Sequence, residues 1–301
     1  MAESVVGPWA REKLDRLAKY LHAYTVIMKE QRWCEGYHYI DAFAGPGDHE
    51  LRSATATGKN PPRPGLLDDL DYAAPQPEQK QFLAGSPRVA LELTHPFTNY
   101  VFIDRSDDRV AELKRLKAEY GESRSIVIRG EDCTRYLRDR VAANPKIDWK
   151  TNRALVFLDP FGMQVGWETL EALAGTGAIE IFLNFPVGMA IQRLLLRRPE
   201  NFTDVQRRRL DKYFGSPDWS KALYRRRATL FDDDAQVKVT ASGTALLKWY
   251  RDRLRTIFPQ VSKAALIRNS KGGHLYYLLL ASHNKTGVKI ANEILSAGEV
   301  V

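Results

Sequence analysis

Five short apolar runs, each stopped by a polar residue, constrain this chain more than any other feature. They occupy residues 37–43, 100–104, 125–130, 155–159 and 178–184 and are rich in Tyr, Ile, Val, Leu and Phe. Such side chains suit a pleated surface buried on both faces. Stretches with helical spacing separate them, the clearest at 107–120, where Val110, Leu113 and Leu116 recur in phase. Alternating strands and helices predict a largely parallel sheet with helices on both sides. Two more strands, at 264–268 and 275–280, flank a short, turn-rich link and predict a terminal antiparallel hairpin. The polar stops Asp41, Asp104, Asp132, Asp159 and Asn184 then fall on one rim of the sheet, where open α/β sheets bind ligands.

The first run leads into a glycine loop, Asp41-Ala42-Phe43-Ala44-Gly45-Pro46-Gly47-Asp48. Gly45 and Gly47 supply positions without a Cβ, where a ligand can approach the backbone or φ can turn positive. Pro46 stiffens the turn between them. Taken alone, the loop has a tight strand-to-helix turn that binds nothing as its alternative, because short glycine patterns are weak signals.

Ahead of the first strand, residues 9–29 read as an amphipathic helix on Trp9, Leu14, Leu17, Leu21, Tyr24 and Met28. Lys13, Arg16 and Lys19 are expected on its surface. Residues 51–79 form a proline-rich irregular insertion, expected to act as a substrate-facing lid. Ser86 is the expected N-cap of the next helix, with Pro87 in its first turn. Residues 237–258 and 287–295 are the last helices expected. The implied division is a helical clasp at 1–36, an α/β core at 37–191, a basic helical insertion at 192–236 and a return to the core at 237–301.

The chain has 301 residues, 44% of them apolar, enough for a substantial core. Cys34 and Cys133 show neither metal-ligand nor redox spacing, and none of the six histidines clusters as a metal site. No run reaches transmembrane length, so a cytoplasmic protein without a membrane partner is expected. The net charge of +8 is focused: from Arg193 to Arg227 there are eleven Lys or Arg against four Asp or Glu. Arg207, Arg208, Arg209 and Arg225, Arg226, Arg227 are the dense clusters. Phe202, Tyr213, Phe214, Trp219 and Tyr224 lie between and around them. That composition predicts a phosphate-binding surface with aromatic stacking platforms, hence RNA or DNA as partner.

Seven strands ending in a hairpin resemble the Rossmann-like fold of class I S-adenosylmethionine-dependent methyltransferases. The order of the Asp-Ala-Phe-Ala-Gly-Pro-Gly loop, a Gly85-Ser86-Pro87 helix start, Asp159-Pro160-Phe161-Gly162, Asn184-Phe185-Pro186 and a Tyr276-Tyr277-Leu278 strand is similar to the three-Cys-motif partner protein family, TcmP. The resemblance implies S-adenosyl-L-methionine as cofactor, held by Asp41, Phe43, Ala44, Gly45, Gly47, Asp104, Arg105, Asp132 and Cys133. It implies catalytic roles for Asp159, Pro160, Phe161, Gly162 and Asn184, and a protein partner. A nicotinamide dinucleotide fits less well: no third glycine follows in register, and Asp48 and Glu50 would repel a pyrophosphate. The single proline before Phe161 departs from adenine amino-methyltransferases and resembles guanine-N2 enzymes acting on transfer RNA. The leading expectation is methylation of an exocyclic base amine, guanine or adenine. A methyltransferase acting on a nucleotide or other phosphorylated small molecule, and a non-catalytic nucleic-acid-binding protein, are the alternatives.

Overall fold

The computed structural model describes residues 8–45, 85–191, 195–196, 199–226, 236–238, 242–268 and 272–296. Gly47, the 51–79 insertion and Arg227 lie outside them, as does the Arg226 side chain. A sheet runs through the centre in the order β3-β2-β1-β4-β5-β10, with β8 and β9 both on the far edge of β10. Its members are β1 (Gly36–Asp41), β2 (Asn99–Ile103), β3 (Ile126–Arg129), β4 (Asn152–Leu158), β5 (Ile179–Phe185), β8 (Gln260–Val261), β9 (Ala265–Arg268) and β10 (His274–Ser282). The first five pair in parallel, and β10 runs antiparallel to β5. The expected Rossmann-like α/β sheet is therefore present. Its seventh position is shared by two short strands, β8 and β9, separated at residues 262–264. β6 (Tyr224–Arg226) and β7 (Gln236–Lys238) form a separate two-stranded ribbon.

Side-chain alternation sorts the core into two layers. Tyr39, Tyr100, Phe102, Leu155, Phe157 and Phe182 point to one face of the sheet. Ile40, Ile103, Val156, Leu158, Ile181 and Leu183 point to the other. The first face packs against α1 (Pro8–Lys29), α2 (Ser86–Leu91), α3 (Asp107–Tyr120) and α9 (Lys285–Leu295). The second packs against α4 (Cys133–Tyr136) with its π-helical continuation Leu137–Ala142, and against α5 (Trp167–Gly175), α6 (Asp204–Phe214), α7 (Trp219–Leu223) and α8 (Ser242–Leu254). Each fully buried Phe or Leu contributes about 1.5–3 kcal/mol, so the long apolar strands dominate the stability.

Three local expectations are corrected. Ser86 is not the N-cap of α2: Gly85 is, and Ser86 and Pro87 form the first turn. The helix expected over 237–258 is α8, which begins only at Ser242 after β7. Lys13 and Arg16 are not on the surface of α1. Lys13 is 0% exposed and Arg16 5%. Lys13, Leu17, Tyr20 and Tyr24 follow one another at i, i+4, i+7 and i+11, so the buried stripe contains a lysine.

Candidate active site

The same alternation sets the site. Asp41 has the parity of Tyr39, Asp104 that of Phe102, Asp159 that of Phe157 and Asn184 that of Phe182, so all four turn toward the α1 face. β4 and β5 pair Leu158 with Leu183, which sets Asp159 and Asn184 side by side. Asn184 Nδ2 donates to Asp159 Oδ1 at 2.5 Å, and Lys13 Nζ meets Asp159 Oδ2 at 2.5 Å. Both carboxylate oxygens are thus held. Asn184 Oδ1 remains a buried acceptor with no hydrogen-bond partner among the described residues. Lys13 Nζ also lies 4.9 Å from the Tyr276 ring centroid, so the ammonium is enclosed by an anion and a ring face.

Burial pushes the Lys13 amine down to about 7, against the pull of Asp159. Burial pushes the Asp41 carboxyl up to about 7. Asp41 is fully enclosed; Tyr39 Oη donates to its Oδ2 at 3.2 Å and the Phe43 amide to its Oδ1 at 3.3 Å. Its carboxyl therefore ties the start of the glycine loop to the strand that precedes it. Basic residues on a helix ordinarily sit in solvent, which hides Lys13 in the sequence. Its phase with Leu17, Tyr20 and Tyr24 was the available signal.

Gly45 adopts φ 62°, in the left-handed region. The turn brings its amide to Asp104 Oδ2 at 3.2 Å. Asp104 also accepts from the Ser106 amide at 2.8 Å and from Arg109 Nη1 at 3.2 Å. Phe43 and Ala44, between Asp41 and Gly45, are buried. Arg109, which the sequence reading did not single out, lies over the Phe161 ring at 5.5 Å. It links the acid after β2 to the Asp159-Pro160-Phe161-Gly162 turn. Pro160 is buried, while Phe161 and Gly162 are half-buried. The Phe161 amide donates to Gln164 Oε1 at 2.9 Å, which fixes the turn.

Asp132 stands apart from this cluster. It caps α4, accepting from the Arg135 amide at 3.0 Å and from Thr134 Oγ1. Arg105 approaches its Oδ2 at 3.8 Å, and both side chains are substantially exposed. An exposed pair of that kind contributes about 0–1 kcal/mol. Cys133 is buried beside it, and burial pushes its thiol up to about 12, so it packs as a small apolar group.

The basic segment differs from its expectation. Phe202, Tyr213, Phe214, Trp219 and Tyr224 are all buried in the core cluster and offer no face to a base. Trp219 Nε1 donates to Asp211 Oδ1 at 2.7 Å, and Tyr224 Oη to the Leu196 carbonyl at 2.7 Å. The reason is helical phase: Leu210, Tyr213 and Phe214 make the inward face of α6. Arg207 donates to the Pro199 carbonyl and lies over the Phe202 ring, so it supports the fold. Arg209 is half-buried, while Arg208 and Arg225 are exposed to solvent.

No protein-family model and no curated protein matches the chain. Among solved structures it is similar to protein LPL1258 from Legionella pneumophila, with TM-score 0.52 and 12% identity over 98% of this chain and 93% of that one. The N-terminal domain of EvdMO1, solved with SAH bound, aligns at TM-score 0.37 and 9% identity over 89% of this chain and 81% of that one. At such identities the likeness to LPL1258 concerns the fold alone. No helix among the described residues is long and apolar enough to cross a membrane.

Proposed function

We propose that the chain is an S-adenosyl-L-methionine-dependent methyltransferase acting on an exocyclic amine of a nucleic-acid base, guanine or adenine. One observation carries the reading: Asp104, Asp41, Asp159 and Asn184 converge at the carboxyl ends of the adjacent strands β2, β1, β4 and β5, beside a left-handed Gly45. The resemblance of these motifs to TcmP proteins supports it.

The residues present fit such a cofactor. Asp104 can accept from ribose hydroxyls, with Arg109 as the group a diol would join or displace. Asp132, half-exposed at the next strand, suits the adenine amine. The Phe43, Ala44 and Gly45 amides donate to Asp41, the Ile103 carbonyl and Asp104, so what this backbone offers the methionine end is its carbonyl oxygens, which suit the ammonium. When bound, the cofactor supplies a methyl group activated by a sulfonium leaving group. The chain's own task is then alignment rather than strong acid–base chemistry. The residues of the rim would hold the accepting nitrogen in line with that methyl group. Asn184 Oδ1 and the Pro160 carbonyl suit the amine hydrogens, and Phe161 suits the base face. Lys13 acts one step back, fixing Asp159 and through it Asn184.

Calorimetric titration with S-adenosylmethionine and S-adenosylhomocysteine tests the cofactor half; absence of binding at millimolar concentration overturns it. Labelled methyl transfer to total RNA, to DNA and to free nucleotides then tests the substrate. The burial of the five aromatic residues favours a second reading, a nucleotide or other phosphorylated small molecule, because the described aromatic residues of the basic segment offer no stacking platform. Transfer to nucleotides but not to either polymer selects it. Cofactor binding with no transfer to any of the three supports a non-catalytic role.

A further inference from the structure

A cavity of about 400 Å³ opens on the opposite edge of the sheet, where β5 begins and β10 ends. It lies between the second half of α1 and the first turn of α9, and its size falls within the ordinary range for small-molecule sites. Glu180, on β5, lines it and is buried. Tyr20 Oη donates to Glu180 Oε2 at 2.5 Å and Ser282 Oγ to Oε1 at 3.0 Å. A carboxylate offers about four acceptor positions, so lone pairs remain.

No cation among the described residues lies within ion-pair distance of Glu180. Arg153, which also lines the cavity, is committed elsewhere: its Nη1 donates to the Trp149 carbonyl at 2.8 Å and the Asn152 carbonyl at 2.6 Å, and its guanidinium carbon lies 4.3 Å from the Trp33 ring centroid. Burial raises the Glu180 carboxyl above its ordinary value even with both hydroxyls and Arg153 acting to lower it. A cationic ligand would supply the missing compensation.

The aromatic and apolar part of the lining suits such a ligand. Tyr20, Tyr24 and Trp33 are cation-tolerant ring surfaces, and Ile27, Met28 and Ile290 are apolar. The Tyr24 hydroxyl is buried and has no hydrogen-bond partner among the described residues. Gly287, in the first turn of α9, keeps the pocket open: a Cβ there would stand 3.0 Å from both Glu180 Oε1 and Tyr20 Oη.

We propose that this cavity is a second ligand site, separate from the rim, for a small organic amine whose ammonium binds Glu180 and whose apolar body lies among Met28, Ile290 and Trp33. The full chain titrated with tryptamine, and separately with indole-3-acetate, tests the charge assignment without any mutation. Tryptamine is expected to saturate one site and indole-3-acetate to bind at least about ten-fold more weakly. Glu180→Gln should lower tryptamine affinity about ten-fold or more. Trp33→Ala, at a residue 46% exposed and so safe for folding, should lower it several-fold. Failure of tryptamine to saturate by about 10 mM overturns the proposal. So does equal binding of the carboxylate, or affinity unchanged in both variants. If Glu180→Gln does not fold, the wild-type comparison and Trp33→Ala decide.

Discussion

Lys13 is the residue on which the rim most depends. Removing one partner of a buried ion pair typically costs about 3–5 kcal/mol, because the other charge is left uncompensated. Lys13→Met is therefore expected to destabilise the fold by about 3 kcal/mol, and Lys13→Met with Asp159→Asn by less than the two single changes summed. Urea unfolding of the three variants checks this, and strict additivity would show that the pair is not coupled. Asp41 makes a pH prediction. Its carboxyl sits near 7 in the folded state against an ordinary 3.8. Between those values the folded state holds a proton that the unfolded chain has released, so stability falls as pH rises from about 4 to about 7. Asp41→Asn should abolish that fall, worth at most about 1.4 kcal/mol per pH unit. Unfolding of both proteins at pH 5 and pH 7 measures it; a stability difference that does not change with pH would contradict the assignment. The rim acids were legible in the sequence because each ends an apolar run, and a strand end has one address. Lys13 and Arg109 were not, because their partners lie on other elements, and a single helix does not announce what it packs against.

Among the elements, α6 is the best specified at its ends. Thr203 and Gln206 form a capping box, and Gly215 closes the helix at φ 65°. Thr203→Ala is expected to cost about 1 kcal/mol. Gly215→Ala should cost more, since it adds left-handed strain and sets a Cβ 2.2 Å from Trp167 Cγ. Thermal unfolding ranks the two, and a milder effect at Gly215 would refute the packing argument. The helix at Asp107–Tyr120 matches its expected bounds because two acids open it and its apolar residues keep phase throughout. In the basic segment, charge density is the conspicuous signal and helical phase the decisive one. Arginines and aromatics alternate along the chain but part company around the helix. α8 was drawn too long because β7, only three residues, is too short to leave a periodic signal.

Over the whole molecule, a net charge of +8 is a solvent-side property, and among the described side chains of the two clusters Arg208 and Arg225 are the exposed ones. If RNA is held there, changing both to Ala should weaken binding and reduce the log–log salt slope by up to about 1.8, at about 0.9 per phosphate contact. Fluorescence anisotropy with single-stranded RNA across a salt series reads this out, and an unchanged slope would remove nucleic acid from this surface. The parallel sheet and its terminal antiparallel strand were legible in outline. The insertion of β10 between β5 and the β8–β9 pair was not, since a hairpin signal says which strands are neighbours in sequence and not which edge they join. The clasp helix carries a further consequence, in the order of assembly. Lys13 on α1 bonds a residue 146 positions later, Tyr20 one 160 later, and Arg16 the Leu295 carbonyl 279 later. Contacts of such separation form only after the sheet has closed its long loops. If α1 docks after the folding barrier is crossed, Leu17→Ala speeds unfolding in stopped-flow mixing and leaves the refolding rate nearly unchanged; slowed refolding would place the helix in the folding nucleus instead. A helix that precedes every described strand in sequence is then a late arrival, closing over a sheet that pairs without it.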